Sequence, residues 1–564
     1  MEAGVPEAGL LTMLAWWCWP LPFAALAWWL LRRFPREVEQ APEPEWLGRP
    51  LTFRLEPLDR ISLAILAGLA VFLWLGRNTV FPIPPDAYYH LLVARQVYET
   101  GTIPLWNTWE WAPLGRPHLY PPGYHLLLAA AAIPFRGDFL AAFRWLTPAI
   151  LPFAYFTTWY LARWLFDARR AFVALLIVGM DAVLVFSAVM GTPGVLATSL
   201  ISIFFVLFLS GRTIPAAVVA VLAVYTHLGI PALAFLGLLI FSLINRAHLP
   251  RLLCIALMTA LAAAPWYARV FVFRDWFSHP IDLGVYGEFT PWMRSIMKFT
   301  WLQMANVFLM VAVVLAIPRI QWREKRNQLL LAFLVALLPM LFSYGGRYYI
   351  HTIHIWAIVA AALFTGFLKE PLRWKRIGAL ALLALCPAPA LVGTGSPLRP
   401  GAYPVPSAWM LGPPVAMGAL RYLDGGKALG FASFEDCAAV AERVRKETAP
   451  DQILYFTWDR DTALTVAFLA NRRVDVGAWE ETMPSRLQQD LIRWYAYHDP
   501  HACYISRLGY GVPRDITEEA VGGLFLGLRD AEAGHSSASD TGTDVQGKGP
   551  GKRKHKKAKP PVAE

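Results

Sequence analysis

PPDAYYHLLVARQVYETGTIPLWNTWEWAPLGRPHLYPPGYH, residues 84–125, is the stretch whose reading decides the fold. An apolar run ends just before it at Leu75-Gly76-Arg77, and hydrophobic sequence resumes after it. Between the two lie Asp86, three histidines, three tryptophans and seven prolines. A carboxylate just beyond a membrane helix is costly unless it faces water, a partner charge or a metal. Asp86 is therefore the first candidate functional residue. AYYHLLVARQVYETG reads as a helix with Asp86 at the N-cap position and Gly101 as its stop. Tyr89, Leu92, Val93, Gln96 and Val97 share one face, which predicts a helix lying on the membrane surface.

Working outward, the chain of 564 residues is 56% hydrophobic and 16% charged, with mean hydropathy +0.42. Soluble domains carry about 25% charged residues, so much of this chain does not meet water. Apolar runs recur at lengths suited to a hydrocarbon core of about 30 Å. The 24 tryptophans and 20 tyrosines fit interfacial belts. Five cysteines without paired spacing imply neither a zinc site nor a disulfide framework.

The predicted architecture is an all-α polytopic membrane protein of about twelve spans with a small external α/β domain at its C-terminal end. Residues 1–58 hold an uncleaved helix, 9–31, followed by Arg32, Arg33 and Arg36 and a Pro/Glu-rich cytoplasmic connector. Residues 59–394 form the main membrane domain, with an external loop over 77–138. Its spans fall near 61–76, 139–166, 171–190, 195–211, 213–229, 231–245, 252–268, 298–318, 327–343, 349–368 and 377–393. Residues 122–135 are apolar but too short for a span, and are expected to be external or re-entrant. Alternate short loops carry the arginines and lysines, which places those loops in the cytoplasm and both termini outside. Residues 395–420 are a Pro/Gly linker, and 421–531 alternate helical and strand-like segments. Residues 532–564 form a disordered basic tail. Much of the net charge of +11 sits in that tail and in the cytoplasmic loops, with no nucleic-acid recognition motif beside it.

Three pieces of the loop carry a family resemblance: Asp86-Ala87-Tyr88-Tyr89-His90, Gly101-Thr102-Ile103-Pro104-Leu105-Trp106 and Tyr120-Pro121-Pro122. Together they resemble the GT-C superfamily of membrane glycosyltransferases. The nearest texture is that of oligosaccharyltransferase catalytic subunits and related bacterial transferases that use polyprenyl-phosphate-linked sugars. The likeness covers 60–370 in plan and is sharp over 82–125. It implies a GT-C-like membrane domain in the cell membrane, with an external site. The donor would be a polyprenyl-phosphate-linked sugar, and the acceptor a glycan, lipid or protein. It assigns Asp86 to the reaction centre as base or metal ligand, with Mg2+ or Mn2+ as the candidate cofactor. The oligosaccharyltransferase branch carries a second Asp-x-Asp in its next external loop. Here that loop reads Ser187-Ala188-Val189-Met190-Gly191-Thr192-Pro193-Gly194. That departure keeps a second reading open, a non-catalytic binder or transporter of lipid-linked glycans, although no internal repeat of the transporter kind is present.

Sugar transfer needs a base, a cation for the leaving phosphate, and surfaces for the sugar. His90, one turn after Asp86, is placed to orient it or to bind metal; the plain alternatives are a helix cap and an interfacial histidine. Arg347, with His351 and His354 one and two turns later, is placed for the donor phosphate; lipid-headgroup contact is the alternative. Tyr89, Trp106, Tyr120 and His227 are candidate sugar or acceptor contacts. So is Glu288, in a loop with Asp282 that could replace the missing acidic pair. The aromatic residues 88, 109, 111 and 124 can stack on sugars or form the belt. Asp181 is an acid inside an apolar run, with a neighbouring helix as its expected partner.

Overall fold

The computed structural model describes residues 46–79, 86–180, 193–276, 307–367, 372–385, 434–456, 460–477, 484–506, 518–521 and 524–529, with a few isolated positions besides. Side chains are described over these ranges except 339–350 and a few helix ends. The chain forms two compact units, and neither is continuous in sequence. The first comprises Met1–Pro82, Tyr120–Arg269 and Glu288–Asp424. The second comprises Ile83–Leu119, Val270–Gly287 and Gly425–Glu564.

Helix α1 (Pro57–Leu75) opens the described helices of the first unit. Helix α2 (Asp86–Thr100) and the short strands β1 (Trp106–Asn107) and β2 (Arg116–Pro117) belong to the second. The chain then re-enters the first unit with α3 (Gly123–Ala132), α4 (Phe139–Leu165), α5 (Ala168–Met180) and α6 (Pro193–Leu209). Next come α7 (Thr213–Thr226), α8 (Gly229–Ile244), α9 (Leu249–Val272), α10 (Val307–Ala316), α11 (Lys325–Phe367) and α12 (Arg373–Leu385). The second unit resumes with α13 (Phe434–Glu447), β3 (Ile453–Phe456), α14 (Arg460–Ala470), β4 (Arg473–Val474) and α15 (Arg486–His498). Strands β5 (Cys503–Ser506), β6 (Glu518–Val521) and β7 (Leu524–Leu528) complete it.

The first unit is helical and carries large apolar side chains on its exposed surface as well as in its core. Leu222, Ile214, Leu257, Leu261 and Val314 are between 52% and 67% exposed on its helices. Pro57–Leu75, Phe139–Leu165 and Arg246–Val272 are each long and apolar enough to cross a membrane. Helix α1 starts at Pro57 behind a capping box made by Glu56 and Asp59. Asp59 is fully buried and takes the Arg163 guanidinium at 3.0 Å, which ties α1 to α4. Arg163 also reaches Glu56 at 2.8 Å. Helix α3 has 10 residues, about 15 Å at 1.5 Å per residue, and so is too short to span.

Helical residues follow one another over Lys325–Phe367, where two spans with a turn between them are expected. The packing restores the reversal. The rings of Phe333 and His354 are 6.1 Å apart, whereas 21 residues of straight helix would part them by about 31 Å. Arg170 adjoins both ends as well: it donates to the Ile358 carbonyl, and its ring partner Phe166 is shared with Arg326. The segment therefore folds back between Phe333 and His354 as two antiparallel arms. All of 9–31 except Trp29, and all of 298–306, lie outside the described residues.

The second unit is built on a five-stranded sheet in the order β4-β3-β5-β7-β6. β3 pairs in parallel with β4 and β5, while β7 runs antiparallel to β5 and β6. Tyr455, Ala496, Ala502, Tyr504 and Ile516 form a cluster of its core. Sequence residues 83–119 belong here. Ala112 donates to the Val474 carbonyl at 2.9 Å, and Val474 donates to Trp109 at 2.7 Å. Trp111 donates to Val476 at 3.2 Å, so the loop extends the β4 edge. Helix α2 packs on α14, with Tyr88 against Phe468 at 5.4 Å. Residues 87–94 are buried all round, not along one face. The expected membrane-surface helix is instead enclosed by protein, because α14 covers the face that holds Tyr88.

Candidate functional site

Asp86 is the first residue of α2 and is half-buried, in the second unit. His90 follows one turn later with 3% exposure, its ring edge-on to Tyr89 at 5.2 Å. Helix α2 ends where Gly101, at φ +67°, donates to the Val97 carbonyl, a left-handed stop that favours glycine.

Within the same unit a buried polar network includes Tyr89. Its hydroxyl lies 3.2 Å from His118 Nδ1. Asn107 Nδ2 is 3.4 Å from that nitrogen and donates to Glu110 Oε1 at 2.7 Å. Glu110 then takes a two-pronged bond from Arg116, at 2.7 and 2.8 Å. Glu110 and Arg116 are 0% and 1% exposed. Planar guanidinium and carboxylate satisfy each other here as a fork on a fork. Burial drives the Tyr89 phenol above its usual pKa, with Glu110 and Asp86 adding to the rise against Arg116 and Asn107. The hairpin holds this network through Gly115, at φ +70°, where a Cβ would sit 2.5 Å from the Asn107 carbonyl. Gly477 is pinned in the same way against Glu110 and Trp111.

Four rings meet in the first unit. Tyr120 lies 5.8 Å from His125 and 6.4 Å from His227, and His227 lies 4.8 Å from His351. His227 follows α7, and its Nδ1 accepts from the amides of Gly229 and Ile230 at the start of α8. That pairing leaves the proton of a neutral His227 ring on Nε2. Thr198 of α6 donates to the His351 carbonyl at 2.8 Å. Gly194 makes room for the His351 ring: an added Cβ would lie 2.0 Å from its Cε1. The loop that lacks an Asp-x-Asp thus delivers a glycine to a histidine.

The expected residues fall out as follows. Tyr120, His227 and His351 come together in the first unit, and Asp86, His90 and Trp106 are in the second. Trp106 is exposed, donates to the Leu114 carbonyl, and meets Phe273 and Trp276 at 6.3 and 5.7 Å. Two more of the expected residues are buried. Tyr89 is 2% exposed with its hydroxyl on His118. His354 is 0% exposed beside Phe333. Tyr88 and Tyr124 are buried likewise, at 1% and 2%. Arg347 lies within α11 and only its backbone is described; Glu288, Asp282 and Asp181 are outside the described residues. His118, Asn107, Glu110, Arg116 and His125 were not singled out in the sequence. A signal was available for four of them: Asn107, Glu110, Arg116 and His118, with Thr108, put five polar side chains into 107–118 in a chain that is 56% hydrophobic.

Among the described residues, no group of three or more His, Cys, Asp and Glu side chains is arranged to hold a metal ion. Asp86 and His90 alone do not supply a coordination set for Mg2+ or Mn2+, which favour six oxygen-rich ligands.

No family model matches the sequence, and no curated protein matches it. Solved structures do match in fold. ArnT from Cupriavidus metallidurans in the apo state aligns with TM-score 0.53 at 13% identity, over 84% of this chain and 98% of that one. ArnT bound to undecaprenyl phosphate aligns over the same shares, with TM-score 0.52 and 14% identity. The oligosaccharyltransferase of Archaeoglobus fulgidus, tethered to an acceptor peptide, aligns with TM-score 0.50 at 13% identity, over 79% of this chain and 69% of that one. These likenesses, at 13–14% identity, are likenesses of fold.

Proposed function

We propose that this chain is a membrane glycosyltransferase that moves a sugar from a polyprenyl-phosphate-linked donor to a glycan, lipid or protein acceptor. The observation that carries the reading is the fold likeness to a protein holding undecaprenyl phosphate, which extends over 98% of that chain. The acid at the first turn of α2 adds the chemistry. The acceptor hydroxyl or amide attacks the anomeric carbon and forms the new bond there. The bond from that carbon to the phosphate oxygen breaks, and its electron pair leaves with the polyprenyl phosphate. Asp86 takes the acceptor proton. General base catalysis of this kind contributes about 10²–10⁴-fold. His90 orients Asp86. Arg347 and His351 offset charge on the leaving phosphate, and Tyr120, His227, Trp106 and Glu288 contact the substrates. The reaction takes place on the external face, in a chain of about twelve spans, because the short loops rich in arginine and lysine define the opposite side. No step is routed through a metal.

The test is sugar transfer from a radiolabelled pool of polyprenyl-phosphate sugars in reconstituted membranes. Wild type, Asp86→Asn and Arg347→Ala are compared, each with and without chelator. Loss of at least 100-fold in a folded Asp86→Asn protein is the expected result. Undiminished transfer in that variant would remove Asp86 from the reaction and shift attention to Arg347 and His351. Donor-lipid binding by a wild type that transfers nothing would favour the non-catalytic binder.

A further inference from the structure

One end of the first unit gathers the close of α4, α6 and α8 and the start of α7, α9 and α11. The segment 46–51 is laid across it. Trp46 packs on Trp164 at 6.4 Å and on Phe241 at 6.1 Å. Gly48 donates to the Ser210 carbonyl at 3.1 Å, and Trp164 donates to the Pro50 carbonyl at 3.2 Å. These contacts fix Arg49, whose guanidinium lies 5.0 Å over the Trp164 ring. Arg49 is half-buried, yet among the described residues no salt bridge or hydrogen bond holds its guanidinium. Its Nη1 is enclosed, whereas Nε and Nη2 are not. Those two nitrogens make up one edge of the guanidinium fork, an edge that takes two oxygens of one phosphate side by side.

The neighbouring charges call for an anion. Burial, then the like charges of Arg163 and Arg326, push the Arg49 pKa below the usual arginine value. The nearby carboxylates are already engaged: Asp59 and Glu56 hold Arg163, and Glu324 holds Arg326. A second guanidinium stands at the same contact. Arg251 lies 3.7 Å from where a Cβ of Gly211 would sit. It donates through Nη1 to the Phe208 carbonyl at 3.2 Å and makes no ion pair among the described residues. Arg212, exposed, follows Gly211. The surroundings add an apolar requirement. Leu47, Ile214, Ile244 and Leu253 are each more than half exposed at this end. An anion seated here therefore adjoins surface that favours hydrocarbon, as the headgroup of a lipid does.

We propose that this end of the first unit is a site for an anionic phospholipid, with the open edge of Arg49 on the headgroup phosphate and the acyl chains on the adjoining apolar surface. Binding there does not depend on the transferase reading. In the experiment the full chain in detergent is titrated with dioleoyl phosphatidylglycerol, with zwitterionic dioleoyl phosphatidylcholine as control. Native mass spectrometry counts the bound lipid. Inorganic phosphate is added as a competitor, to separate a lipid from a free anion. The variants are Arg49→Gln and Arg373→Gln. The second removes the same charge from the exposed start of α12, in a loop expected on the same side of the membrane. The expected result is that the wild type binds phosphatidylglycerol at least tenfold tighter than phosphatidylcholine. Arg49→Gln weakens that binding at least tenfold, and Arg373→Gln by less than twofold. Arg49 donates no side-chain hydrogen bond and is opposed by Arg163 and Arg326. The thermal midpoint of Arg49→Gln in phosphatidylcholine should therefore equal or exceed that of the wild type. Phosphatidylglycerol should raise the wild-type midpoint and leave that of the variant unmoved. Equal affinity for the two lipids, or equal losses in the two variants, would overturn the proposal and leave only diffuse attraction to charge. Displacement of phosphatidylglycerol by millimolar inorganic phosphate would overturn it in favour of a free anion. A midpoint of Arg49→Gln lowered alike in both lipids would overturn it in favour of a structural arginine.

Discussion

At the scale of single residues, the Glu110–Arg116 pair is the sharpest feature. Both side chains are out of water and each is the other's counter-charge. Removing one partner strands a buried charge, a loss of about 3–5 kcal/mol, whereas replacing both with apolar groups is often far milder. We expect Arg116→Met and Glu110→Gln each to lower the thermal midpoint markedly, and Arg116→Met with Glu110→Leu to recover part of the loss. A double variant as unstable as the summed singles would show that the two do not act as a pair. Asp475 gives the pH dependence. It accepts from the Phe456 amide at 3.0 Å, but desolvation lifts its pKa from 3.8 to about 7. The folded carboxyl therefore keeps its proton while the unfolded one has lost it. Stability is full below about pH 4, falls as the pH rises towards 7, and levels off above that. Asp475→Asn keeps the acceptor oxygen and removes the titration. Hydrogen-exchange protection of β3 should then change less between pH 4.5 and 8 than in the wild type; an equal change would sink the assignment to Asp475.

At the scale of elements, α2 and the loop that follows it are fastened to the C-terminal segment by backbone ladders and side chains. Arg95 donates to the Phe468 carbonyl at 2.8 Å, and Arg473 donates to Thr108 and Pro113. The partners are more than 350 positions apart along the chain. Helix α2 itself was legible, from the Asp86 start to the Gly101 stop, because capping and hydropathy are local. Its setting was not, because buried and half-exposed helices of this length share one apolar pattern. The C-terminal segment is therefore a scaffold for the loop that carries Asp86. Deleting residues 421–564 should make α2 and the 106–117 hairpin open to proteolysis while the helices of the first unit stay protected. A truncated chain whose 86–117 segment resists protease as well as the full chain would contradict this.

At the scale of the whole molecule, the apolar exposure of the first unit and its long helices mark a membrane protein, as hydropathy alone indicated. The side of the membrane is a matter for experiment. The loop charges predict that Arg212 and Arg323 face the cytoplasm, and that Trp106 and Arg493 face outside. In a cysteine-free background, single cysteines at 106 and 493 should react with a membrane-impermeant thiol reagent added to intact cells. Cysteines at 212 and 323 should react only after permeabilisation. Labelling of 212 from outside would invert the topology and with it the external site.

The sequence by itself determined the membrane class, most helix boundaries and the helix–strand alternation after residue 434. These follow from composition, caps and a hydrophobic period that any window of the chain displays. Strands of two residues, such as 106–107 and 473–474, are too short to show a period and emerged only from pairing. The tertiary structure alone decided that Phe333 and His354 lie side by side, that His354 and Tyr89 are buried, and that Tyr120 links His125 to His227, which meets His351. It also decided that the Asp86 loop shares a unit with the end of the chain. Each of these is a contact between residues remote in sequence. Such contacts are settled by which surfaces exclude water from one another, and no local pattern records that choice.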